Sequence, residues 1–362
     1  MADSLENSLS VFTASQDPVI AVKNEIVTFA NPAAEKTFPD LAVGDSASVY
    51  IPEILLQLSS NRYVSTAKIR ELQTVISCAS VDNTKIYCLS IENDTRTSFA
   101  PPALIASMRS SIFTMRMAAD KLVEAASPES DPRLSTYSSI LYHNYHSLLH
   151  FTGNLYTAEG LASGTLPFQP TASNLVSVCK ELVNSVISFV AQNGVELSFK
   201  CAEDYICGNV DRALFEQMLL NLLSNSLGML DKGGRIALEL CLDGDNYIIT
   251  VTDNGGGIDH STLSTLFFSH KNHDISELSN GHTGLGLYIV RGISELHGGT
   301  IIVETIPDMG TTARLIMPID HSSHTLLRTT ELEYHAAALN SILTELSSYL
   351  DYKHYSPKYL MD

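Results

Sequence analysis

Over the first third of the chain, apolar residues come in short runs broken by turn residues. Val19 to Val22 and Ile26 to Phe29 flank Lys23-Asn24-Glu25, and Gln73 to Ala79 and Ile86 to Ile91 flank Asp82-Asn83. The pattern predicts two hairpins in a small mixed α/β unit. After Pro101-Pro102 the period changes. Ile105, Met108, Ile112, Met115, Ala119 and Leu122 recur at alternating steps of three and four. Beyond a loop from Ser127 to Pro132, Leu134, Ser138, Leu141, Tyr145, Leu148, Thr152 and Leu155 do the same. This predicts an antiparallel helical hairpin whose seam is too wide to bury alone, and hence a four-helix bundle built by two chains, a homodimer. By the same heptad count His143, His146 and His150 fall at f, b and f, away from the Leu141, Leu148 and Leu155 seam, and are expected to face solvent.

From about Pro170 to Pro318 helical and strand patterns alternate. Helices are predicted from Leu175 to Gln192, Arg212 to Met229 and Leu285 to Leu296. Strands are predicted from Val195 to Cys201, Arg235 to Cys241, Tyr247 to Asp253, Thr300 to Thr305 and Thr312 to Met317. They make an α/β sandwich. In the tail, Leu332, Ala336, Leu339, Leu343, Leu346 and Leu350 again follow three-four spacing, which predicts an amphipathic helix in need of a partner surface. The fold class is multidomain α+β, with units at 1–98, 99–165, 166–320 and 321–362.

Charge narrows the partners. Lys and Arg total 22 against 40 Asp and Glu, a formal charge of -18, which repels a phosphate backbone or an anionic bilayer. Neither nucleic acid nor membrane is expected as a partner. Cys78, Cys88, Cys179, Cys201, Cys207 and Cys241 form no C-x-x-C pair and no zinc spacing, so they read as reduced thiols. No apolar run approaches the roughly 20 residues that span a bilayer, and the first residues are acidic and polar, so a cytoplasmic location is expected.

The chemistry lies in the third unit. A nucleotide needs a carboxylate for the exocyclic amine of its base, backbone N–H groups for its phosphates and an oxygen ligand for magnesium. Asp253 ends a predicted strand and enters Gly255-x-Gly257, where absent side chains would let the backbone approach a base. Gly284-Leu285-Gly286 precedes a predicted helix, whose N-terminus favours anions. Asn221 and Asn225 stand one helical turn apart, so both amides can face one cation.

In order, "FEQMLLNLLSNSLGML", "VTDNGGGI", "LFFSHKNHD", "GHTGLGLYIV" and "GTTARLIMP" resemble the asparagine, first glycine, phenylalanine, second glycine and third glycine boxes of the sensor histidine kinase ATP-binding domain, the Bergerat fold. The resemblance implies that Asn225 holds magnesium with help from Asn221 and that Asp253 binds adenine. It places Gly255, Gly257, Leu285, Gly286, Gly284 and Thr311 around ATP, and makes Ser269 to Gly281 a mobile lid from which Lys271 reaches a phosphate. His270, His273 and His282 crowd that lid. Hydrolytic relatives such as gyrases carry a glutamate where this chain has Asn221, which implies poor hydrolysis. Where the family usually has a basic residue, three positions past Asn225, this chain has Gly228. Near the N-terminus, "PVIAVKNEIVTFANPAAEKTF" resembles the opening of a PAS sensor domain.

The hairpin departs from the family. Its phosphoacceptor motif aligns with Ala106-Ser107-Met108-Arg109-Ser110-Ser111-Ile112, which puts Ala106 at the histidine position and Ser107 at the acidic one. Alanine has no lone pair with which to attack a phosphoryl group. The resemblance therefore implies a two-component signalling protein that binds ATP and Mg2+ but cannot autophosphorylate at the usual site. It would act as a nucleotide-dependent scaffold toward a response regulator or an intact kinase. The alternatives are an active kinase using His143, His146, His150 or a partner protein as acceptor, and an anti-sigma-type Ser/Thr kinase.

Overall fold

The computed structural model describes residues 9, 11–15, 17–60, 62–70, 72–81, 83–91, 100–126, 132–230, 233–258, 285–319 and 342–355. Strands β1 (Val19–Lys23) and β2 (Ile26–Ala30) form the first predicted hairpin. Asn24 and Glu25 take φ of 51° and 62° at its turn, the left-handed pair that matches strand twist. Asn31 caps helix α1 (Pro32–Thr37) by accepting from Ala34 N, and a short α2 follows (Glu53–Gln57). Strands β4 (Leu72–Val81) and β5 (Thr84–Ile91) are the second predicted hairpin. Strand β3 (Arg62–Ile69), which sequence patterning did not reveal, pairs with β4.

Helices α3 (Pro102–Ala126) and α4 (Pro132–Ser163) form the helical hairpin. Ile105, Ile112 and Ala119 are buried within it, and the Tyr142 hydroxyl of α4 donates to Asp120 of α3 at 2.7 Å. Met115, Leu141 and Leu148 of the predicted seam are 55%, 46% and 44% exposed on the single chain. The histidine expectation is overturned. His146 and His150 are buried and His143 is half-buried, because this face of α4 is covered by the C-terminal segment.

The third unit keeps its predicted order and adds two strands the sequence did not reveal: β6 (Thr171–Asn174) pairs with β8 (Cys207–Val210) as a separate ribbon. Helix α5 (Leu175–Val190) precedes β7 (Glu196–Cys201), and α6 (Arg212–Met229) precedes β9 (Arg235–Asp243) and β10 (Asn246–Asp253). Helix α7 (Gly286–Leu296) leads into β11 (Thr300–Ile306) and β12 (Gly310–Pro318). Helix α6 is apolar nearly all round: Phe215, Met218, Leu219, Leu220, Leu222 and Leu223 are all buried, as a helix enclosed on several sides requires. The window Leu175–Asn193 is long and apolar enough for a membrane span by length and composition, contrary to the sequence expectation. Its Val178, Cys179, Leu182, Val183 and Val186 are buried in the core around the sheet, the usual origin of such a pattern.

Two sheets expected to be separate are one. The strand order β2-β1-β5-β4-β3-β11-β12-β10-β9-β7 makes ten strands, joined where β3 meets β11 in the register Ile302↔Ser65 and Val303↔Val64. The Ser65 hydroxyl donates to Ile301 O at 3.0 Å across this junction. Val64 and Val75 contribute to the core of the third unit, and Ile302 and Ile316 to that of the first.

The C-terminal expectation changes. Residues 342–345 make one helical turn, and turns then lead to a 3-10 turn at Tyr352–Tyr355, so Leu346 and Leu350 do not continue a helix. Ile342, Leu343, Leu346, Leu350 and Tyr355 all enter the main core, and that tertiary burial replaces helical periodicity. Leu332, Ala336 and Leu339 lie outside the described residues.

Candidate nucleotide site

Asp253 closes β10 at the floor of a cavity and is 5% exposed. Its Oδ2 accepts from the Ser226 hydroxyl at 3.1 Å, and its Oδ1 accepts from the backbone N–H groups of Gly255 at 3.0 Å and Thr311 at 3.2 Å. Three donors fix the carboxylate, and its four acceptor positions leave room for one more donor from a ligand. Val251, Val303, Ala313 and Leu222 give the cavity an apolar lining suited to a flat base.

The glycines after Asp253 serve a different purpose from the one expected. A Cβ at Gly255 would stand 2.4 Å from Met229 O, and one at Gly257, whose φ is 71°, would stand 2.6 Å from Ile306 O. The missing side chains make room for neighbouring backbone, which holds the loop and Asp253 in place. Ile258, not either glycine, lines the cavity.

At the other end of the cavity, α6 and α7 meet. A Cβ at Gly286 would lie 3.1 Å from Asn221 Oδ1 and 3.4 Å from Asn225 Oδ1, so both amides abut the first residue of α7. Asn221 is buried and donates from Nδ2 to Gln217 O at 3.0 Å. This end presents two amide oxygens and a helix N-terminus, a donor set suited to a cation paired with an anion. Leu285 is buried at the start of α7. Lys271, Gly284, His270, His273, His282 and the lid from Ser269 to Gly281 lie outside the described residues.

Sequence reasoning missed part of the lining. His150 and Asn154 of α4 and Ser348 and Tyr349 of the C-terminal segment face the same cavity. His150 Nε2 lies 2.9 Å from Asn154 Nδ2 and 3.2 Å from Glu345 Oε2, and the same Glu345 oxygen lies 3.4 Å from Asn221 Nδ2. The Tyr349 hydroxyl hydrogen-bonds Ser224, and burial pushes it up to about 12. The contacts of Glu345 and Tyr349 join residues more than 120 positions apart, and no local pattern announces them. Ser226 had a signal, since it follows Asn225 directly. Ala106 and Ser107 are exposed on α3.

Among the described residues, no group of three or more His, Cys, Asp or Glu side chains is placed to hold a metal. All six cysteines are free thiols.

Residues 210–321 match the family described as histidine kinase-, DNA gyrase B-, and HSP90-like ATPase. The chain is 27% identical over 197 residues to an uncharacterized sensor-like histidine kinase of Rhizobium meliloti strain 1021, covering 52% of this chain and 36% of that one. It is 30% identical over 156 residues to the sensor histidine kinase YvrG of Bacillus subtilis strain 168, covering 43% and 27%. Among solved structures, full-length ShkA in complex with AMPPNP matches at 17% identity and a TM-score of 0.48, covering 66% of this chain and 54% of that one. The chain thus spans 36% and 27% of the two curated relatives' length. Residues 210–321 carry an ATPase domain of the kind shared by histidine kinases, DNA gyrase B and HSP90, within a chain similar to sensor histidine kinases.

Proposed function

We propose that this chain is a cytoplasmic sensor histidine kinase homologue of two-component type that binds ATP with Mg2+ but cannot accept phosphate at the usual hairpin position. It acts as a nucleotide-controlled scaffold. The observation that carries this reading is a cavity lined by Asp253, Asn221 and Asn225 in a chain that has an alanine, Ala106, at the acceptor position. ATP would supply a transferable γ-phosphoryl group, and Ala106 offers no nucleophile to receive it. In this reading Asp253 takes the adenine amine, Asn225 with Asn221 holds magnesium, and the N–H groups at Leu285 and Gly286 meet phosphate.

The first unit, with its Asn31-capped α1 behind a hairpin, serves as a PAS-type sensor. The exposed apolar residues Leu104, Phe113, Met115, Met117, Leu141 and Leu148 support dimerisation through the hairpin, with a response regulator or an intact kinase as partner.

A second reading has its own support. His150 lines the cavity, whereas His143 and His146 hydrogen-bond the C-terminal segment, so His150 is the one alternative acceptor of the three that faces the site. The test is incubation with magnesium and γ-labelled ATP beside a binding titration and an Asn225→Ala control. Binding without label supports the scaffold. Acid-labile label lost in His150→Gln supports the second reading, and acid-stable label points to Ser/Thr phosphorylation instead.

A further inference from the structure

The C-terminal segment does more than cover α4. Glu345, 9% exposed, brings a carboxylate against the amide of Asn221, a residue of the cavity wall whose Oδ1 abuts Gly286, while Ser348 and Tyr349 line the cavity themselves. Glu345 Oε2 lies 3.2 Å from His150 Nε2 and 3.4 Å from Asn221 Nδ2, and its backbone oxygen accepts from the Ser224 hydroxyl at 3.3 Å. One turn on, Tyr349 lies against Gly228. A Cβ there would stand 2.5 Å from the Tyr349 hydroxyl and 2.6 Å from its ring. Gly228 therefore leaves the space that Tyr349 fills, which gives a structural reason for the absence of a larger side chain at this position.

We propose that residues 342–355 are a tethered competitor of the nucleotide cavity, with Glu345 against Asn221, Ser348 and Tyr349 in the cavity wall and Tyr349 in front of Gly228, so that the docked segment and a magnesium–nucleoside triphosphate exclude each other. The proposal rests on the nucleotide reading above. The Glu345 carboxylate repels a second anion brought to Asn221, and Ser348 and Tyr349 form wall of the cavity that a ligand enters. Docking is a balance. Burial of Ile342, Leu343, Leu346, Leu350 and Tyr355 favours it, and ordering the backbone opposes it, so a ligand for the same end of the cavity can tip it.

The segment also reaches the hairpin. His143 Nε2 lies 2.9 Å from Ser347 O, His146 Nδ1 lies 2.9 Å from Thr344 Oγ1, and the Tyr355 ring sits 5.1 Å and 5.2 Å from the two imidazoles. The three α4 histidines thus hold the segment, and displacing it uncovers one face of the hairpin. Nucleotide occupancy is thereby converted into a change of surface on α4.

The test is calorimetric titration of the full chain with magnesium and AMPPNP, in wild type, Glu345→Ala and Tyr349→Ala, with hydrogen exchange of residues 342–355 followed on the same samples. Loosening the docked segment in either variant should tighten AMPPNP binding, by up to about tenfold where about a tenth of wild-type molecules are open, since apparent affinity is reduced by the fraction of open molecules. AMPPNP should also accelerate exchange at the Leu346 and Tyr349 amides, which are hydrogen-bonded when the segment is docked. Equal affinity in all three proteins, or protection unchanged by AMPPNP, overturns the proposal alone. Weaker binding in Glu345→Ala also overturns it, by making Glu345 part of the metal site. No binding by any of the three overturns the nucleotide reading and this proposal with it.

Discussion

Ser226 and Asp253 form a buried pair, the Ser226 hydroxyl donating to Asp253 Oδ2 at 3.1 Å, and through it helix α6 sets the orientation of the carboxylate at the end of β10. Asp253→Asn would place an amide N–H2 where donors already converge from Ser226, Gly255 and Thr311. With the N–H2 toward Gly255 and Thr311 donor meets donor, so the amide turns it toward Ser226, whose hydroxyl then accepts instead of donating. Neutral bonds replace bonds to a carboxylate, at a cost of about 1 kcal/mol, and the group offers a donor where a base amine needs an acceptor. The expected outcome is a lower melting temperature together with loss of the stabilisation that magnesium–AMPPNP gives wild type. Ser226→Ala should keep binding and weaken it. Thermal denaturation with and without AMPPNP reads both.

Gly255 and Gly256 make an internally controlled pair. A Cβ at Gly255 meets Met229 O at 2.4 Å, while one at Gly256 meets nothing within 4 Å. Gly255→Ala should therefore destabilise by about 1–3 kcal/mol, the usual cost of forced overpacking, and Gly256→Ala should stay within about 0.5 kcal/mol. Denaturant unfolding of the two variants checks the difference. Equal effects would contradict the close approach of Met229.

His146 gives a pH dependence with a definite sign. Burial first, then the neighbouring Arg116 and His143 charges, push it down to about 4 from an ordinary value of 6.5. Between those values the unfolded chain binds a proton that the folded chain refuses, so stability must fall as pH falls from 6.5 toward 4. The slope from this group is at most about 1.4 kcal/mol per pH unit. His146→Gln should flatten the fall, measured by denaturant unfolding at pH 7, 6 and 5. His297 and His354, also pushed down chiefly by burial, contribute in the same direction and should leave a residual slope.

The β3–β11 junction predicts cooperative unfolding. Ser65, Val64, Ile302 and Val303 are all buried there, so neither unit can lose its sheet without exposing the other's edge. Calorimetry should show the first and third units melting in one transition, and Val64→Asp, which buries an unpaired charge, should destabilise both together. Two well-separated transitions in wild type would show the junction to be energetically weak.

The sequence alone determined those elements whose signals are local: the turn at Asn24 and Glu25, the three-four spacing of α3 and α4, and the apolar helix α6 each follow from neighbours in the chain, whereas β3, β6 and β8 escaped it. It also pointed to Asn221, Asn225, Asp253 and Gly286, which lie in the cavity wall and carry their chemistry in their type and spacing. Tertiary structure decided the rest. Whether β3 would meet β11, whether His150 would face solvent or the cavity, and where the tail would lie depend on pairings between segments far apart in sequence. A heptad count tells which face of a helix is apolar but not what covers the other face. Here the cover is a segment nearly two hundred residues away, and Glu345 and Tyr349 acquired their place beside Asn221 and Gly228 only when that segment folded back onto them.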